Sequence, residues 1–493
     1  MAVIAIDQTL PQAAGASRIG AHAERLAQTF RARLHKRPVQ TAALGLAVAL
    51  LGAALAYHSS PPQAFVLLLG ASVILNATRA IPEIASYLGL ATAWVLFGIA
   101  TPEQAVAGYG GTNWMTAVAM VALAQAVASS GLLLRCGLWF VQRLPRSVLA
   151  QGATFMLGGL ALIPLLPGST QRGQFSMMFA LAAAQAQRLK ERGPAAAFIA
   201  MATFIGSNPM LFFFLGGNTT CLLIYGFLPE ATRAQIGVGE WLVASVPLAA
   251  FVGVASLTAM WLYLRPERNA PPLDSRKVSQ QLAELGRPKG RELKTAAILA
   301  LTILGWTFGP ALGVDKLVVS LVMLMASILL GCFGDTELQS LPWDFLILYG
   351  IVLDIDKITT RLGITQAAGA ALVAATGHLH LAPIVFLLAV AVLNVLVRLV
   401  LPVIPALMLL GLGLIPLAPV MGLSPFLVGL ALLATTTVWF LPTTSYTFRL
   451  AAQAAEGQLF TNRQAQVTSV IHTAITLLGL AVCTPYWRWL GLM

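Results

Sequence analysis

The chain has 493 residues, of which 58% are hydrophobic and only 10% are charged. Soluble domains carry about 25% charged residues, so this composition excludes an ordinary water-soluble globule. The formal net charge of +12 is concentrated before the first apolar run and in one long loop, without the aromatic-interleaved motifs of nucleic-acid-binding proteins. The sequence therefore predicts a membrane protein whose partners are the lipid bilayer and a small ligand, with no nucleic acid.

Continuous apolar runs recur between short polar turns along the chain. Runs of about 20 residues are typical of transmembrane helices, whereas a membrane β-barrel would alternate apolar and polar residues. We expect an all-α polytopic protein with about 11 transmembrane helices. It divides into a tail (1–40), a first transmembrane half (41–263), a linker (264–294) and a second transmembrane half (295–493).

The basic residues predict the orientation. Six Lys or Arg residues lie in the tail and eight in the linker, and such clusters mark cytoplasmic segments. An odd number of crossings then puts the carboxyl terminus in the periplasm or outside the cell. We expect a multi-pass protein of the inner (plasma) membrane with a cytoplasmic amino terminus.

A polar turn interrupts the apolar run 149–187. The stretch "LLPGSTQRGQF" (165–175) contains helix breakers, hydroxyls and a fixed charge, as expected at the tip of a re-entrant hairpin. We predict that Ser169, Thr170 and Arg172 bind an anion there, because hydroxyls, exposed amides and a guanidinium suit its oxygens. A structural ion pair for Arg172 and hydroxyl-to-carbonyl bonds within the hairpin are the alternatives.

The next run, 195–228, is broken by "GSNP" (206–209) and "GGNTT" (216–220). An unwound segment inside a transmembrane helix exposes backbone groups that need ligands or polar neighbours. We therefore predict that Asn218 and Thr219 line a binding cavity.

The second half repeats this organisation. A Pro-interrupted pair over 382–419 contains Asn394 and Arg398, and the broken run 425–448 contains Thr443 and Thr444. These four residues complete the predicted substrate site, and an ion pair of Arg398 with Asp354 or Asp356 is the alternative. Asp354 and Asp356 are the candidates for proton coupling, and a solvated interfacial helix is the alternative there.

Two odd-numbered units on either side of the linker must be inverted relative to each other. The sequence thus predicts two inverted repeats of about five transmembrane helices, each with a re-entrant hairpin, plus an extra N-terminal helix. This arrangement is typical of secondary transporters. Catalytic and metal-binding motifs are missing, so we expect no enzyme activity, no cofactor and no metal site.

Three stretches resemble the divalent anion:sodium symporters (DASS). They are "GIATPEQAVAGYGGTNWMTAVAMVALAQAVASSGLLLR", "PWDFLILYGIVLDIDKITTRLGI" and "FLPTTSYTFRLAAQAAEGQLFT" through "PYWRWLGLM". The resemblance covers most of residues 60–493. It implies an elevator-type transporter of di- or tricarboxylate-like anions, a homodimer, and hairpin tips with Ser-Asn-Thr motifs that bind sodium and substrate carboxylate.

The tip motifs of this chain depart from the family pattern. Where the dicarboxylate-exchanger branch has Pro-Ser-Asn-Thr-Ala-Arg, this chain has Pro167, Gly168, Ser169, Thr170, Gln171 and Arg172. At the second tip Asn394 remains, Leu393 and Val395 carry no oxygen, and Arg398 follows. We expect the arginines to replace sodium, in an exchanger or a proton-coupled transporter. A sodium symporter with a degenerate motif and a transport-dead anion sensor are the alternatives.

Overall fold

A computed structural model describes residues 38–493, except 58–59, 167, 217, 273–274, 289, 310–311, 354, 365, 368–369, 371–381 and 441–444. The regular structure in the described part of the chain is helical, and its β pairing is limited to an isolated bridge between Ser147 and Asn269. The predicted all-α class is thus confirmed.

The helices before the linker are α1 (Pro38–Ala56), α2 (Pro61–Thr78), α3 (Glu83–Leu96), α4 (Pro102–Val106), α5 (Thr112–Ser129), α6 (Leu132–Gln142), α7 (Val148–Leu162), α8 (Ser169–Ala186), α9 (Pro194–Ser207), α10 (Thr219–Phe227), α11 (Glu230–Gln235) and α12 (Val238–Leu264). Short 3-10 helices cover Ala107–Gly110 and Pro209–Phe213. Proline stands in the first turn of α1, α2, α4 and α9, where its missing N–H costs no hydrogen bond.

The linker and the second half contain α13 (Ser275–Leu285), α14 (Gly290–Phe308), α15 (Lys316–Leu329), α16 (Asp335–Gln339), α17 (Trp343–Val352), α18 (Ile355–Arg361), α19 (Pro383–Arg398), α20 (Val403–Leu414), α21 (Pro425–Thr435), α22 (Tyr446–Ala454), α23 (Asn462–Val482) and α24 (Thr484–Trp489). A 3-10 helix over Ile415–Met421 extends α20.

Six segments of the described chain are long and apolar enough to cross a membrane: Val39–Ala56, Pro61–Thr78, Pro194–Phe213, Val238–Leu264, Val403–Met421 and Asn462–Trp489. A seventh is possible if α5 and α6, which are bent by 59° relative to each other, form one broken segment. Five further apolar helices are shorter, among them α7 and α19. A polytopic membrane protein is thus confirmed, while the count of about 11 crossings and the repeats stay predictions.

Two helical hairpins contain the predicted polar breaks. The first hairpin joins α7 to α8 through residues 163–168, which we call the first tip. The second hairpin joins α19 to α20 through residues 399–402, the second tip. Each tip contains a proline, which cannot continue a helix.

Two broken segments pack against these hairpins. The first consists of α9 and α10 with the 3-10 turn between them, and the second consists of α21 and α22. The leading arms α7 and α19 pack on the leading helices α9 and α21, respectively. The trailing arms cross over, since α8 packs on α22 and α20 packs on α10. These contacts bring the two tips and the interruptions of the two broken segments together.

Helices α5, α6 and α13 to α15 form a second layer of contacts, which touches the first hairpin where α6 and α13 pack on α8. Helix α5 packs on α15, and the linker helix α13 packs on α6. Ion pairs at 2.6 Å, between Arg135 and Glu292 and between Arg291 and Glu337, tie the linker to this layer. Trp114 also donates a 2.9 Å hydrogen bond from its indole N–H to the Leu346 carbonyl.

A close backbone approach in this layer gives a test of the fold. A Cβ atom added to Gly108 would lie 2.0 Å from the carbonyl oxygen of Gly350. Overpacking of this kind costs about 1–3 kcal/mol, so we expect Gly108→Ala to lower the melting temperature of the purified protein.

The control is Gly239→Ala, because an added Cβ meets nothing within 4 Å there. Differential scanning fluorimetry in detergent compares the two variants. Equal melting temperatures for Gly108→Ala and Gly239→Ala would contradict the packing described here.

Candidate functional site

In each broken segment, the leading helix ends with backbone carbonyl groups that have no donor within the helix. Helix α9 ends at Ser207 because Asn208 precedes a proline, which disfavours the helical conformation, and Asn208 has φ −127° and ψ −64°. Helix α21 ends at Thr435 in a run of β-branched residues. The last carbonyls of a helix lack intrahelical donors and carry the negative end of its dipole, so each break needs a positive partner.

Arg172 supplies that partner at the first break. Its side chain is completely buried in helix α8. The Nε atom donates to the carbonyl of Ser207, the last residue of α9, and Nη1 donates to the carbonyl of Leu166 in the first tip at 2.7 Å. One guanidinium therefore fastens the first tip to the end of the broken helix.

Arg398 has the same function at the second break. Its Nε atom donates to the carbonyl of Thr436 at 2.7 Å, just after α21, and Nη1 donates to the carbonyl of Leu401 in the second tip. One turn earlier, the amide of Asn394 donates to the Leu432 carbonyl at 2.8 Å and to the Thr435 hydroxyl at 2.9 Å. Asn394 and Arg398 together bind the last turn of α21.

Arg398 lies where the sequence predicts an anion-binding arginine, but Arg172 does not. Arg172 is held entirely by protein groups and is not among the cavity-lining residues, while Arg398 is 3% exposed and does line the cavity. Neither guanidinium forms an ion pair with a carboxylate in the described part of the chain. Arg172 thus neutralises helix carbonyls and does not itself face the cavity.

A cavity of about 510 Å³ lies between the two tips, and we call it the tip cavity. Its polar lining includes hydroxyls and amides from the start of α8 and from both broken segments: Ser169, Thr170, Asn208, Thr219, Thr220, Thr436, Thr437, Ser445 and Thr447. The predicted residues Ser169, Thr170, Thr219 and Arg398 are therefore brought together. A volume of this size fits a small ligand site.

Five helices begin at the tip cavity. They are α3 at Glu83, α8 at Ser169, α10 at Thr219, α20 at Val403 and α22 at Tyr446, and each of these residues lines the cavity. Helix amino termini present free amides and the positive end of the helix dipole, which favours an anion. No side chain caps α8 or α20, while the neutral side chains of Asn218 and Ser445 cap α10 and α22.

A second cavity, of about 480 Å³, shows why capping matters. Helices α12 and α15 begin there, but carboxylates of the protein already occupy their amino termini. Asp315 accepts from the Leu317 amide at 2.7 Å, and Glu240 accepts from the Gly237 amide at 2.9 Å. At the tip cavity no carboxylate of the described residues caps a helix, since Glu83 in the first turn of α3 makes no cap hydrogen bond, and the amino termini there are more open to an anion.

Charged residues at the rim of the tip cavity are absent from the sequence predictions. Arg79 and Arg449 both lie near the ring of Tyr446, with guanidinium carbons 5.5 and 5.7 Å from its centroid. Glu83 is the only carboxylate among the described lining residues. Sequence inspection missed this group because its members flank ordinary turns, although ionisable residues at the ends of apolar runs were a usable signal.

The other predicted residues have varied positions. Asn218 is buried and accepts the Thr220 amide at 3.0 Å, and Asn394 is buried against α21, so both support the breaks and neither lines the tip cavity. Thr443, Thr444 and Asp354 lie outside the described residues, and Asp356 falls within α18. Their predicted functions stay predictions.

Comparison with known proteins decides the family. The model of the family described as "Sodium:sulfate symporter transmembrane region" matches residues 33–493. The chain belongs to this family. The resemblance seen in the sequence is confirmed, and the sodium:sulfate symporter family consists of membrane transporters of sulfate- and carboxylate-type anions.

Individual relatives of this sodium:sulfate symporter family member are distant. The "Inner membrane protein YbhI" of Escherichia coli K12 is 24% identical over 268 residues, which cover 52% of this chain and 55% of that protein. The match thus spans about half the length of the curated relative. It supports a multi-pass protein of the inner membrane.

Two solved transporters share the fold. The Alcanivorax borkumensis YdaH transporter has a TM-score of 0.53 and 18% identity, covering 88% of this chain and 99% of its own. Neisseria gonorrhoeae MtrF, from a class of antimetabolite efflux pumps, has a TM-score of 0.55 and 13% identity, covering 87% of this chain and 94% of its own. At these identities the comparison establishes the fold alone.

The contacts of Arg172 with two backbone carbonyls give a prediction for stability. Arg172→Gln removes the cation that serves the carbonyls of Leu166 and Ser207, and hydrogen bonds to charged groups contribute roughly 1.5–3 kcal/mol each. We expect a clear loss of melting temperature in detergent. Arg463→Gln, at an exposed arginine near the start of α23, is the matched control. Identical melting curves for the two variants would show that Arg172 does not hold the first tip.

Proposed function

We propose that the protein is a sodium-independent secondary transporter of a small divalent anion, of the di- or tricarboxylate or sulfate type. One observation carries this proposal: the positive helix ends open into the tip cavity, while the negative helix ends are already bound by Arg172 and Arg398. The protein is proposed to move the anion without chemical reaction.

The lining suits an oxyanion in particular. Uncapped amides at Ser169 and Val403, the hydroxyls around them and the guanidinium of Arg398 are all donors. Hydrogen bonds from charged or dipole-oriented donors to carboxylate or sulfate oxygens are short and strong. Because several helix ends converge, a ligand with two negative charges gains more than a monoanion.

The carbonyls at the carboxyl ends of α9 and α21 support sodium independence. In transporters with discontinuous helices, coupling cations bind to unwound carbonyls and half-helix carboxyl ends. Here the carbonyls of Ser207 and Thr436 accept from guanidinium groups instead. A sodium ion at either place would have to displace a buried arginine, whose charge would then lack a partner, at a high free-energy cost.

The proposed movement is elevator-type alternating access by a homodimer. The hairpins and broken segments pack on one another as one group, while α5, α14 and α15 pack in another, which supports a moving unit and a static unit. The basic linker supports a cytoplasmic amino terminus and a periplasmic carboxyl terminus under the positive-inside rule.

A sodium-coupled symporter is the second candidate function. The family description favours it, because it names sodium:sulfate symporters. The two candidates differ in their need for sodium, so transport measurements separate them.

The first test is counterflow of labelled sulfate or succinate into proteoliposomes loaded with the same unlabelled anion. We expect the same rate when choline replaces sodium on both sides, because the guanidinium groups supply the positive charge. A requirement for sodium would establish the second candidate. A protein that binds either anion but performs no counterflow is a sensor and not a transporter.

The second test concerns the helix amino termini. Thr219→Val removes a hydroxyl at the start of α10 with little change of shape, and a hydrogen bond to a charged group contributes roughly 1.5–3 kcal/mol. We expect the dissociation constant for sulfate or succinate to rise by about tenfold or more in calorimetric titration. Thr258→Val, at an exposed position on α12, should leave it unchanged. Equal affinities would place the anion away from α10.

A further inference from the structure

We propose that Glu83 takes up a proton when the anion binds, because the anion and the Glu83 carboxylate compete for Arg79. This inference rests on the proposed function and adds the coupling ion to it. Its basis is the position of one carboxylate in a cavity that is otherwise rich in cationic and donor groups.

Glu83 is the first residue of α3, and its side chain, of intermediate exposure, lines the rim of the tip cavity. Arg79 lies four residues earlier in the chain. It is the C-cap of α2, with a left-handed backbone conformation, and it lines the same rim. The charge of Arg79 acts favourably on the Glu83 carboxylate. Among the described lining residues no other carboxylate competes for the cations of the cavity.

The other neighbours of Glu83 oppose its negative charge or leave it unsupported. Asp344, at the start of the packed helix α17, repels it electrostatically, and Tyr87 on its own helix is buried beside it. Across the cavity, Arg398 is bound to carbonyls. Arg79 and Arg449 both lie near the ring of Tyr446, but Arg79 is the cation whose charge favours the ionised form of Glu83.

An entering dianion meets Arg79 at the same rim. Once the guanidinium turns to the anion, Glu83 keeps the repulsion of Asp344, loses its favourable partner and gains a second negative neighbour. A partly desolvated carboxylate in that situation binds a proton from water, which leaves a neutral carboxyl. When the anion departs on the other side, Arg79 returns and Glu83 releases the proton, so about one proton accompanies each anion.

The sign of the pH dependence follows by linkage. The anion-bound protein holds the Glu83 proton up to a higher pH than the free protein does. Anion affinity is therefore highest at acid pH and falls by about tenfold per pH unit as the pH rises between the two protonation midpoints. Above the upper midpoint the affinity is constant again.

The experiment is calorimetric titration of the purified full-length protein with sulfate, in buffers that differ in ionisation enthalpy. Sulfate stays a dianion throughout the range from weakly acid to neutral pH, so every proton taken up goes to the protein. We expect proton uptake to approach one per anion between the two midpoints and to fall to about half a proton at the upper midpoint. Glu83→Gln should bind sulfate with no linked proton and with an affinity independent of pH.

Three further variants make the result specific. Glu103→Gln, at an exposed glutamate at the start of α4, should keep the linked proton of the parent. Glu83→Asp should restore a linked proton, and Arg79→Gln should take up clearly less than the parent although Glu83 is still present.

The possible outcomes separate this inference from the proposed function. If the parent binds sulfate without proton uptake at any pH, or if Glu83→Gln takes up as many protons as the parent, the inference is overturned while anion transport stands. Proton uptake by Arg79→Gln equal to that of the parent also overturns it. If the parent binds neither sulfate nor succinate, the proposed function fails and this inference fails with it.

Discussion

The site depends on two buried arginines, each of which donates hydrogen bonds to two backbone carbonyls. A helix that stops inside a membrane protein leaves carbonyl groups without donors, and no water of the bilayer core is available to satisfy them. Arg172 and Arg398 solve this problem for α9 and α21, and each also holds the neighbouring hairpin tip. The same contacts fix the geometry of the tip cavity, because both tips are fastened to the helix ends that surround it.

The breaks separate positive from negative helix ends. Carboxyl ends point to the arginines, whereas the amino ends of α8, α10, α20 and α22 open into the cavity. This separation explains why a site that carries several hydroxyls and few carboxylates suits an anion. Under the proposed function it also explains why sodium, for which the family is named, has no binding place at the two tips. In the proposed function the arginines take the place of sodium, and uphill transport then needs another coupling ion.

Local composition indicated the breaks, because helix termination depends on neighbours in sequence. Pro, Gly and hydroxyl residues stand at 165–175, 206–209 and 216–220, and the structure interrupts its helices there. The partners of Arg172 were out of reach, since Ser207 lies 35 residues away and which carbonyl a guanidinium meets depends on packing. The rim residues Glu83 and Arg449 were missed for the same reason, as 366 positions separate two side chains that line one cavity.

The most direct test of this account is anomalous diffraction from sodium-free crystals of the protein grown with selenate, which has the charge and shape of sulfate. The account predicts a selenium peak in the tip cavity, within hydrogen-bond distance of the amino termini at Ser169 and Thr219, with Arg172 still bound to the Ser207 carbonyl. Selenate in the second cavity near Lys316, or selenate in the tip cavity only when sodium is added, would contradict it.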